Sequence, residues 1–173
     1  MVNNMLVGVL SDSHDNVEGV EKAIEFFNDR GVDFVFHLGD IVSPFTLRLF
    51  SKLEPDFGVV FGNNDGDKLL LSSIAREYGF IISEPPLLLE LASRKILALH
   101  GWRDPKYTIE LVDSLAKSGT YDVVLYGHTH RIDVRKMGKT LIVNPGEIHG
   151  YISGKSTIAI IDLDKLEVEV VEI

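Results

Sequence analysis

The chain has 173 residues, of which 45% are hydrophobic and 25% are charged. This composition excludes a wholly disordered chain and predicts a single domain over residues 1–173. The formal net charge of −9 argues against a nucleic-acid-binding or anionic-lipid-binding surface. The absence of cysteine excludes disulfides, cysteine-ligated zinc and a cysteine nucleophile. Without a signal-type leader or an apolar run of about 18 residues, we expect a cytoplasmic protein that does not enter a membrane.

The first half of the sequence alternates short apolar runs with amphipathic segments. Three runs predict buried strands that each stop at a polar loop: residues 5–10, 33–38 and 57–61. Segment 17–30 has helical spacing, with Asn16 as its N-cap and Gly31 at its end. Segment 43–50 is predicted as a second helix with a proline in its first turn. This repetition is typical of parallel βαβ units, in which ligands bind beyond the carboxyl ends of the strands.

The second half predicts a sheet of a different kind. Segments 86–91 and 95–100 are expected to form a hairpin, followed by a helix near 106–118 and a strand at 122–126. Further strand-like segments have little helical signal between them: 131–136, 139–144, 156–162 and 165–173. We therefore expect an α/β (α+β) fold whose second part is a mixed or antiparallel sheet.

Side chains that can bind metal follow the ends of the predicted strands: Asp12, His14, Asp40, Asn63, His100, His128 and His130. Any one of them alone is an ordinary loop residue, and the aspartates could cap helices, so their shared placement is the stronger signal. In an extended segment, residues i and i+2 point the same way, about 6.6 to 6.8 Å apart. The two histidines of GHTH can therefore reach two ions about 3.5 to 4 Å apart. Histidine with carboxylate suits Mn, Fe, Ni or Zn better than Mg or Ca.

The charges of such a site suit a phosphate ester. Two divalent ions bring four positive charges, Asp12 and Asp40 return two, and a bridging hydroxide returns one more. About one positive charge remains, and a third carboxylate in place of Asn63 would reduce it. Two metals can also lower the pKa of a bridging water and hold the attacking oxygen for in-line displacement.

The ordered motifs LSDSHDN, HLGD, GNND, LHGW, YGHTHR and NPGE resemble the calcineurin-like metallophosphoesterases, and most closely the YfcE-type small phosphodiesterases. The resemblance extends from Leu6 to about Gly146. It implies a four-layer β-sandwich of two mixed sheets flanked by helices. It also implies two bound divalent ions, Mn²⁺ or Ni²⁺ with Fe or Zn as alternatives. The implied reaction is hydrolysis of small phosphodiesters such as bis-p-nitrophenyl phosphate.

The resemblance also implies how the ligands are shared between the two metals. The first metal is held by Asp12, His14, Asp40 and His130. The second is held by Asp40, Asn63, His100 and His128, so that Asp40 bridges the two ions.

One position departs from the family pattern. Many relatives have a histidine after the ligand asparagine, where it is thought to assist the leaving group, but this chain has Asn64. An amide can donate a hydrogen bond but cannot act as a general acid near neutral pH. The hypothesis is therefore a preference for esters with acidic leaving groups. The neighbouring Asp65 either orients Asn64 or a histidine, or caps a helix.

Other residues near the motifs have two interpretations each. Trp102 either walls the pocket and stacks on an aromatic ester or packs on the sheet. Arg103 and Arg131 flank ligand loops, where they either contact phosphate or are solvated. His37 is predicted as a packed, hydrogen-bonded core histidine and His149 as a surface histidine. The turn Asn144-Pro145-Gly146 is expected to support the site without binding metal.

Three functions are consistent with these residues. The first is a two-metal phosphodiesterase acting on a small substrate. The second is a phosphomonoesterase with the same site, although the dianionic substrate of such an enzyme calls for more basic residues than Arg103 and Arg131. The third is a non-catalytic interaction scaffold of the same fold, which is disfavoured because every ligand position is filled.

Overall fold

The computed structural model describes residues 4–173. The helices of the described chain are α1 Val17–Arg30, α2 Pro44–Leu49, α3 Lys68–Tyr78 and α4 Pro105–Lys117. Its strands are β1 Leu6–Leu10, β2 Phe34–His37, β3 Asp56–Val60, β4 Ile81–Ser83, β5 Leu87–Leu91, β6 Arg94–Leu99, β7 Val123–Tyr126, β8 Ile132–Met137, β9 Thr140–Pro145, β10 Thr157–Asp162 and β11 Glu167–Glu172. Every segment that was predicted as a strand or helix is present, with bounds shifted by at most two residues.

The strands form two mixed sheets. The first has the order β11-β10-β1-β2-β3-β4 and the second the order β5-β6-β7-β9-β8. Strands β1 to β4 are parallel, β10 pairs antiparallel to β1, and the edge strand β11 pairs antiparallel to β10. In the second sheet β6, β7 and β9 are parallel, and β5 and β8 pair antiparallel at the edges. The expected parallel first part and mixed second part are both confirmed.

Apolar clusters define four layers. Val9 and Phe36 of the first sheet pack with Leu125 and Val143 of the second in one buried cluster between the sheets. A second cluster contains residues of α1, α2 and α3 together with side chains of the first sheet. A third joins α4 to the second sheet through Val112. The order helix, sheet, sheet, helix confirms the predicted four-layer β-sandwich.

The prediction gave no bounds for the helix that follows the third strand. Helix α3 begins at Asp67, whose side chain accepts a hydrogen bond from the backbone N–H of Leu70. It ends at Gly79, which adopts the left-handed conformation with φ of 74°. Its buried residues Leu71, Ile74 and Ala75 have helical spacing. The spacing and the terminal glycine were therefore available as signals. Within residues 4–173, no helix combines the length and apolarity needed to cross a bilayer.

His37 is fully buried near the end of β2, as its interpretation as a core histidine required. Its Nδ1 accepts a hydrogen bond from the Gly39 N–H at 3.2 Å, and its Nε2 lies 3.0 Å from Ser13 Oγ. Burial lowers the pKa of this imidazole from 6.5 to about 3, since the charged form loses its hydration. His37 is therefore neutral and connects the loops after β1 and β2.

This neutral histidine makes folding stability sensitive to acid. Because the folded pKa is below the unfolded one, the contribution of His37 is complete above pH 6.5 and is lost as the pH falls toward about 3. Between pH 7.5 and 5.5, the metal-stripped protein should lose about 1 kcal/mol more unfolding free energy than its His37→Gln variant. Urea denaturation of both proteins at the two pH values measures this difference, and equal losses would refute it.

Candidate metal centre

Loops at the carboxyl ends of five strands meet at one edge of the sandwich. The Asp12 N–H donates to the Gly39 carbonyl and the His14 N–H donates to the Asp40 carbonyl, both at 3.0 Å. In the second sheet, the Gly127 N–H donates to the His100 carbonyl at 2.9 Å. These bonds fix the positions of the loops that carry the predicted ligands.

Five of the seven predicted ligands have positive φ angles: Asp12 at 53°, His14 at 41°, Asp40 at 59°, His128 at 67° and His130 at 57°. Residues other than glycine rarely adopt this conformation, and backbone strain of this kind concentrates at functional sites. None of the four helix N-caps is a predicted ligand, because Asn16, Ser43, Asp67 and Asp104 fill those positions. The interpretation of Asp12 and Asp40 as helix caps is therefore wrong.

Potential ligand atoms form two groups. Asp12, His14 and His130 each offer one atom within 4.8 Å of the others, and so do Asp12, Asp40 and His100. His14 Nε2 lies 3.4 Å from Asp40 Oδ2, and His130 Nε2 lies 3.5 Å from Asp12 Oδ1. These distances allow a cation between the groups to contact side chains from several loops.

The second group also includes an amide oxygen. His100 Nε2 lies 3.1 Å from Asn63 Oδ1 and 3.4 Å from Asp40 Oδ2. The other ring nitrogen, Nδ1, lies 2.7 Å from the Leu38 carbonyl, which can only accept a hydrogen bond. A neutral His100 therefore carries its proton on Nδ1 and directs a lone pair from Nε2 toward two oxygen atoms. A cation between these three atoms would bind to all of them.

His128 lies beside this group. Its ring centroid is 5.0 Å from that of His100, and its Nε2 is 2.5 Å from the Arg103 carbonyl. The carbonyl acts as a hydrogen-bond acceptor and so places the proton of a neutral His128 on Nε2. Nδ1 is then the nitrogen that can act as a ligand.

Unsatisfied polar atoms support the fit to metal. Within residues 4–173, the buried side-chain atoms without a hydrogen-bond partner are Asp12 Oδ1 and His14 Nε2. Burial raises the pKa of Asp12 and lowers the pKa of His14, since both charged forms lose hydration. Buried polar atoms normally have partners. The donor set therefore fits divalent cations, which would satisfy both atoms.

Asp40 is held in its ionised form. In the metal-free site, burial alone would raise its pKa, but the hydrogen bond and charge of a protonated His100 and the hydrogen bonds from Asn64 outweigh burial and lower the pKa. Asn64 donates from its backbone N–H to Oδ1 at 2.8 Å and from its side-chain Nδ2 to Oδ2 at 2.7 Å. The amide of Asn64 therefore contacts a predicted bridging ligand directly.

Asp65 serves neither of its two predicted purposes. Its buried carboxylate accepts hydrogen bonds from three backbone N–H groups, those of Asp40 at 3.1 Å, Val42 at 2.8 Å and Gly62 at 2.6 Å. It is not the cap of α3, because that residue is Asp67. Instead of orienting Asn64, the carboxylate joins the loop after β2 to the loop after β3.

Glu147 is the site residue that the sequence analysis missed, although its motif NPGE was noted. Its carboxylate is fully buried, and Oε2 lies 2.7 Å from His130 Nδ1. Oε1 accepts from the backbone N–H groups of Ile152 and Ser153 at 3.0 and 2.5 Å. Burial raises the pKa of Glu147, but these hydrogen bonds outweigh it and lower the pKa. The carboxylate thus places the proton of His130 on Nδ1 and leaves Nε2 free as a ligand.

Removing this charge should weaken metal binding. Glu147→Gln is expected to lower Mn²⁺ affinity by about 10- to 100-fold, as is typical when a partner of a ligating histidine is lost. Calorimetric titration of the metal-stripped variant measures the change. The exposed Glu25 of α1 provides a matched control, since Glu25→Gln should bind as the wild type does. Equal affinities for the two variants would show that Glu147 has only a structural role.

Some ligand loops pass so close to one another that only glycine fits. A Cβ at Gly62 would overlap the carboxylate and backbone nitrogen of Asp40 and lie 2.9 Å from its Cγ. A Cβ at Gly101 would lie 2.5 Å from the Cβ of His128. The close approach of these loops therefore requires glycine at positions 62 and 101.

A glycine pair tests this packing. Gly62→Ala should displace Asp40 and weaken Mn²⁺ binding at least about tenfold, because ligands outside their geometry bind metal poorly. Gly66→Ala is the matched control, since a Cβ there has nothing within 4 Å. Titration of both variants gives the comparison, and wild-type affinity in Gly62→Ala would contradict the close-packing argument.

Of two other predicted residues, His149 departs from its predicted position and Arg131 agrees with its solvated interpretation. His149 is half-buried rather than a surface histidine, and its ring centroid is 5.3 Å from that of His14. Arg131 is exposed and lines a cavity beside Asp113 and Asp133. That cavity differs from the one that contains His100 and His128. The structure therefore brings His149 to the centre but does not bring Arg131 into the same cleft.

Asn144 supports the GHTH loop as predicted for its turn. Its Nδ2 donates to the Gly127 carbonyl and to Thr129 Oγ1, both at 3.0 Å. Its Oδ1 accepts from the Gly146 N–H at 2.9 Å. Asn144 therefore holds the loop between His128 and His130.

A cleft of about 380 Å³ opens beside the second ligand group. Its lining includes the predicted ligands Asn63, His100 and His128, together with Glu84, Trp102 and Arg103. The guanidinium carbon of Arg103 lies 4.8 Å from the centre of the Trp102 ring. Trp102 is 52% exposed and lines this cleft, as its interpretation as a wall of the pocket requires.

Residues 5–166 match the family model of the calcineurin-like phosphoesterase superfamily domain. The chain belongs to this family. It is 36% identical to a protein named phosphodiesterase MJ0936 from Methanocaldococcus jannaschii over 168 residues, which cover 94% of this chain and 96% of that one.

Two solved structures have the same fold. One, described as a novel archaeal phosphodiesterase, has a TM-score of 0.90 at 36% identity and covers 98% of this chain and 100% of its own. The other, the phosphoesterase YfcE from E. coli, has a TM-score of 0.68 at 18% identity and covers 96% and 98%. The second similarity is one of fold alone, and the predicted family is confirmed.

Proposed function

We propose that this chain is a phosphodiesterase that hydrolyses small phosphodiesters at a centre of two divalent cations. The observation that carries the proposal is the convergence of buried carboxylates and imidazole nitrogens, two of whose atoms lack partners. An open cleft lined by Asn63, His100 and His128 lies beside this group. The naming of a relative at 36% identity as a phosphodiesterase supports the same activity.

In this proposal, one cation would be held by Asp12, His14, Asp40 and His130 and the other by Asp40, Asn63, His100 and His128. Divalent cations there supply Lewis acidity, which lowers the pKa of bound water and offsets charge on the phosphate. Mn²⁺ and Ni²⁺ suit this mixture of imidazole and carboxylate, and Fe or Zn are alternatives.

The chain itself contributes charge, orientation and substrate contacts. With Glu147 ionised, three carboxylates would return three of the four positive charges of two divalent cations. The residual positive charge is therefore smaller by one than Asp12 and Asp40 alone would leave. Glu147 and the Leu38 carbonyl orient His130 and His100. Arg103 contacts a phosphoryl oxygen in the cleft, Trp102 lies against the esterified group, and Asn64 donates a hydrogen bond without transferring a proton.

The charges of the cleft favour a diester over a monoester. Arg103 is the basic residue of its lining and Glu84 is acidic, so the side chains add little positive charge beyond the metals. A monoester carries about two negative charges and a diester only one, so the diester suits this balance. Asp12, Asp40 and Glu147 are all buried carboxylates. Burying charge costs free energy, and a non-catalytic scaffold would gain nothing in return.

Matched substrates test the proposal. Protein loaded with Mn²⁺ or Ni²⁺ should hydrolyse bis-p-nitrophenyl phosphate with a kcat/KM at least about tenfold above that for p-nitrophenyl phosphate. The reverse preference would make the chain a phosphomonoesterase. Absence of turnover for both esters, with metal bound, would favour the scaffold.

A further inference from the structure

A second cavity adjoins the catalytic cleft and has a different character. Its volume is about 480 Å³, and Leu97 and Leu99 of β6 line it together with Leu111 and Leu115 of α4 and with Tyr121. None of the described residues that line it carries a charge. Its size falls in the range of small-molecule sites, in which an apolar lining surrounds most of the ligand.

The two cavities are adjacent and share part of their lining. Pro85, Gly101 and Trp102 line both of them. Gly101 directly follows the predicted ligand His100, so the apolar cavity begins one residue from the metal centre. A substrate whose phosphate lies at the centre can therefore extend an attached group past Trp102 into the apolar space.

The structure fixes the backbone of Trp102 at this junction. Its N–H donates to Thr108 Oγ1 at 3.0 Å, and the same hydroxyl donates to its carbonyl at 3.1 Å. Thr108 is fully buried near the start of α4. The exposed indole also contacts Tyr107, with 6.0 Å between ring centroids. An aromatic surface held in this way loses little entropy when a flat group binds to it.

The chemistry of the lining restricts the group that fits. Among the described lining residues, the polar side-chain groups are the indole Nε1–H of Trp102 and the hydroxyl of Tyr121. A nucleobase has several polar edge atoms, and each would lose a hydrogen bond to water without gaining a partner. A hydrocarbon aromatic ring has no such atoms and gains from burial.

We propose that this apolar cavity is a subsite for an aryl group attached to the phosphate, so that the enzyme selects aryl phosphodiesters over small alkyl ones. This inference rests on the proposed function, because the phosphate of the same molecule lies at the metal centre. Trp102 separates the two compartments and contacts the ring where it enters the apolar one.

Two monoanionic probes of matched charge test the subsite by calorimetry on Mn²⁺-loaded protein. The probes are methyl(2-naphthylmethyl)phosphinate and methyl(propyl)phosphinate, whose P–C bonds are not hydrolysed. The naphthyl probe should bind at least about tenfold more tightly. Leu115→Gln, which makes the lining polar, and Leu115→Trp, which fills the cavity, should each reduce this preference at least about fivefold. The exposed Leu69 of α3 gives matched controls, since Leu69→Gln and Leu69→Trp should keep the wild-type preference.

Binding of the two probes tests the subsite, and turnover tests the proposed reaction, so failure of one can be distinguished from failure of the other. Equal Kd values for the two probes, or a preference unchanged in both Leu115 variants, would overturn the subsite. Turnover of bis-p-nitrophenyl phosphate is measured on the same samples. Turnover without aryl preference would leave the phosphodiesterase intact and remove the subsite. Aryl preference without turnover would support the subsite while the proposed reaction fails.

Discussion

Replacing Asp40 with alanine is expected to lower kcat/KM for bis-p-nitrophenyl phosphate by at least about a thousandfold. The proposed role of Asp40 is to bridge both cations, and the Lewis acidity of such a centre contributes several kcal/mol to transition-state stabilisation. Its side chain lies 3.4 Å from the Nε2 atoms of both His14 and His100. The variant should therefore also lose high-affinity Mn²⁺ binding, which calorimetry measures directly.

The matched control is Asp29→Ala, which removes an exposed carboxylate from α1. It should keep wild-type turnover and metal binding. Circular dichroism establishes that both variants are folded. If folded Asp40→Ala kept most of its metal-dependent turnover, the assignment of Asp40 as the bridging ligand would be wrong.

The second large effect is expected from Asn64→His. A histidine can protonate the cresolate that leaves methyl p-tolyl phosphate, and positioned general acids contribute about 10²- to 10⁴-fold. The variant should raise the ratio of kcat/KM for methyl p-tolyl phosphate to kcat/KM for bis-p-nitrophenyl phosphate by about a hundredfold. Nitrophenolate is a good leaving group and needs little help from an acid, so the change appears in the ratio.

The pH profile separates proton donation from a change of packing. In Asn64→His, the rate with the poorer leaving group should fall as the pH rises through the pKa of the new histidine, since only its protonated form donates. Asn64→Gln keeps an amide and provides the matched control without such a pH limb. An unchanged ratio in Asn64→His would remove the hypothesis that Asn64 limits the range of leaving groups.

The fold followed closely from the pattern of apolar residues. Each strand of the parallel part ends where its apolar run meets a polar loop, and this rule located the predicted ligand loops at one edge. The start of helix α3 is hard to locate from the sequence because the polar stretch of residues 62–67 directly precedes it. Its cap Asp67 and terminal Gly79 were local signals that did not depend on tertiary structure.

The residues that were misjudged depend on contacts between distant parts of the chain. His149 lies beside His14 although 134 residues separate them. The partners of Asp65 are backbone N–H groups from two loops. Because every residue but proline has such a group, the sequence does not show which of them Asp65 will bind. Glu147 bonds to a histidine 17 residues earlier. In each case the position could be recognised only after the strands had been assembled into sheets.

The measurement that tests the central claim most directly is a Mn²⁺ titration of metal-stripped protein, with binding and hydrolysis of bis-p-nitrophenyl phosphate followed on the same samples. A centre of two cations predicts that two equivalents bind per chain and that turnover reaches its plateau only as the second is filled. A plateau at one equivalent would contradict the dinuclear site. Full binding of Mn²⁺, Ni²⁺, Fe²⁺ or Zn²⁺ without turnover would contradict the phosphodiesterase itself.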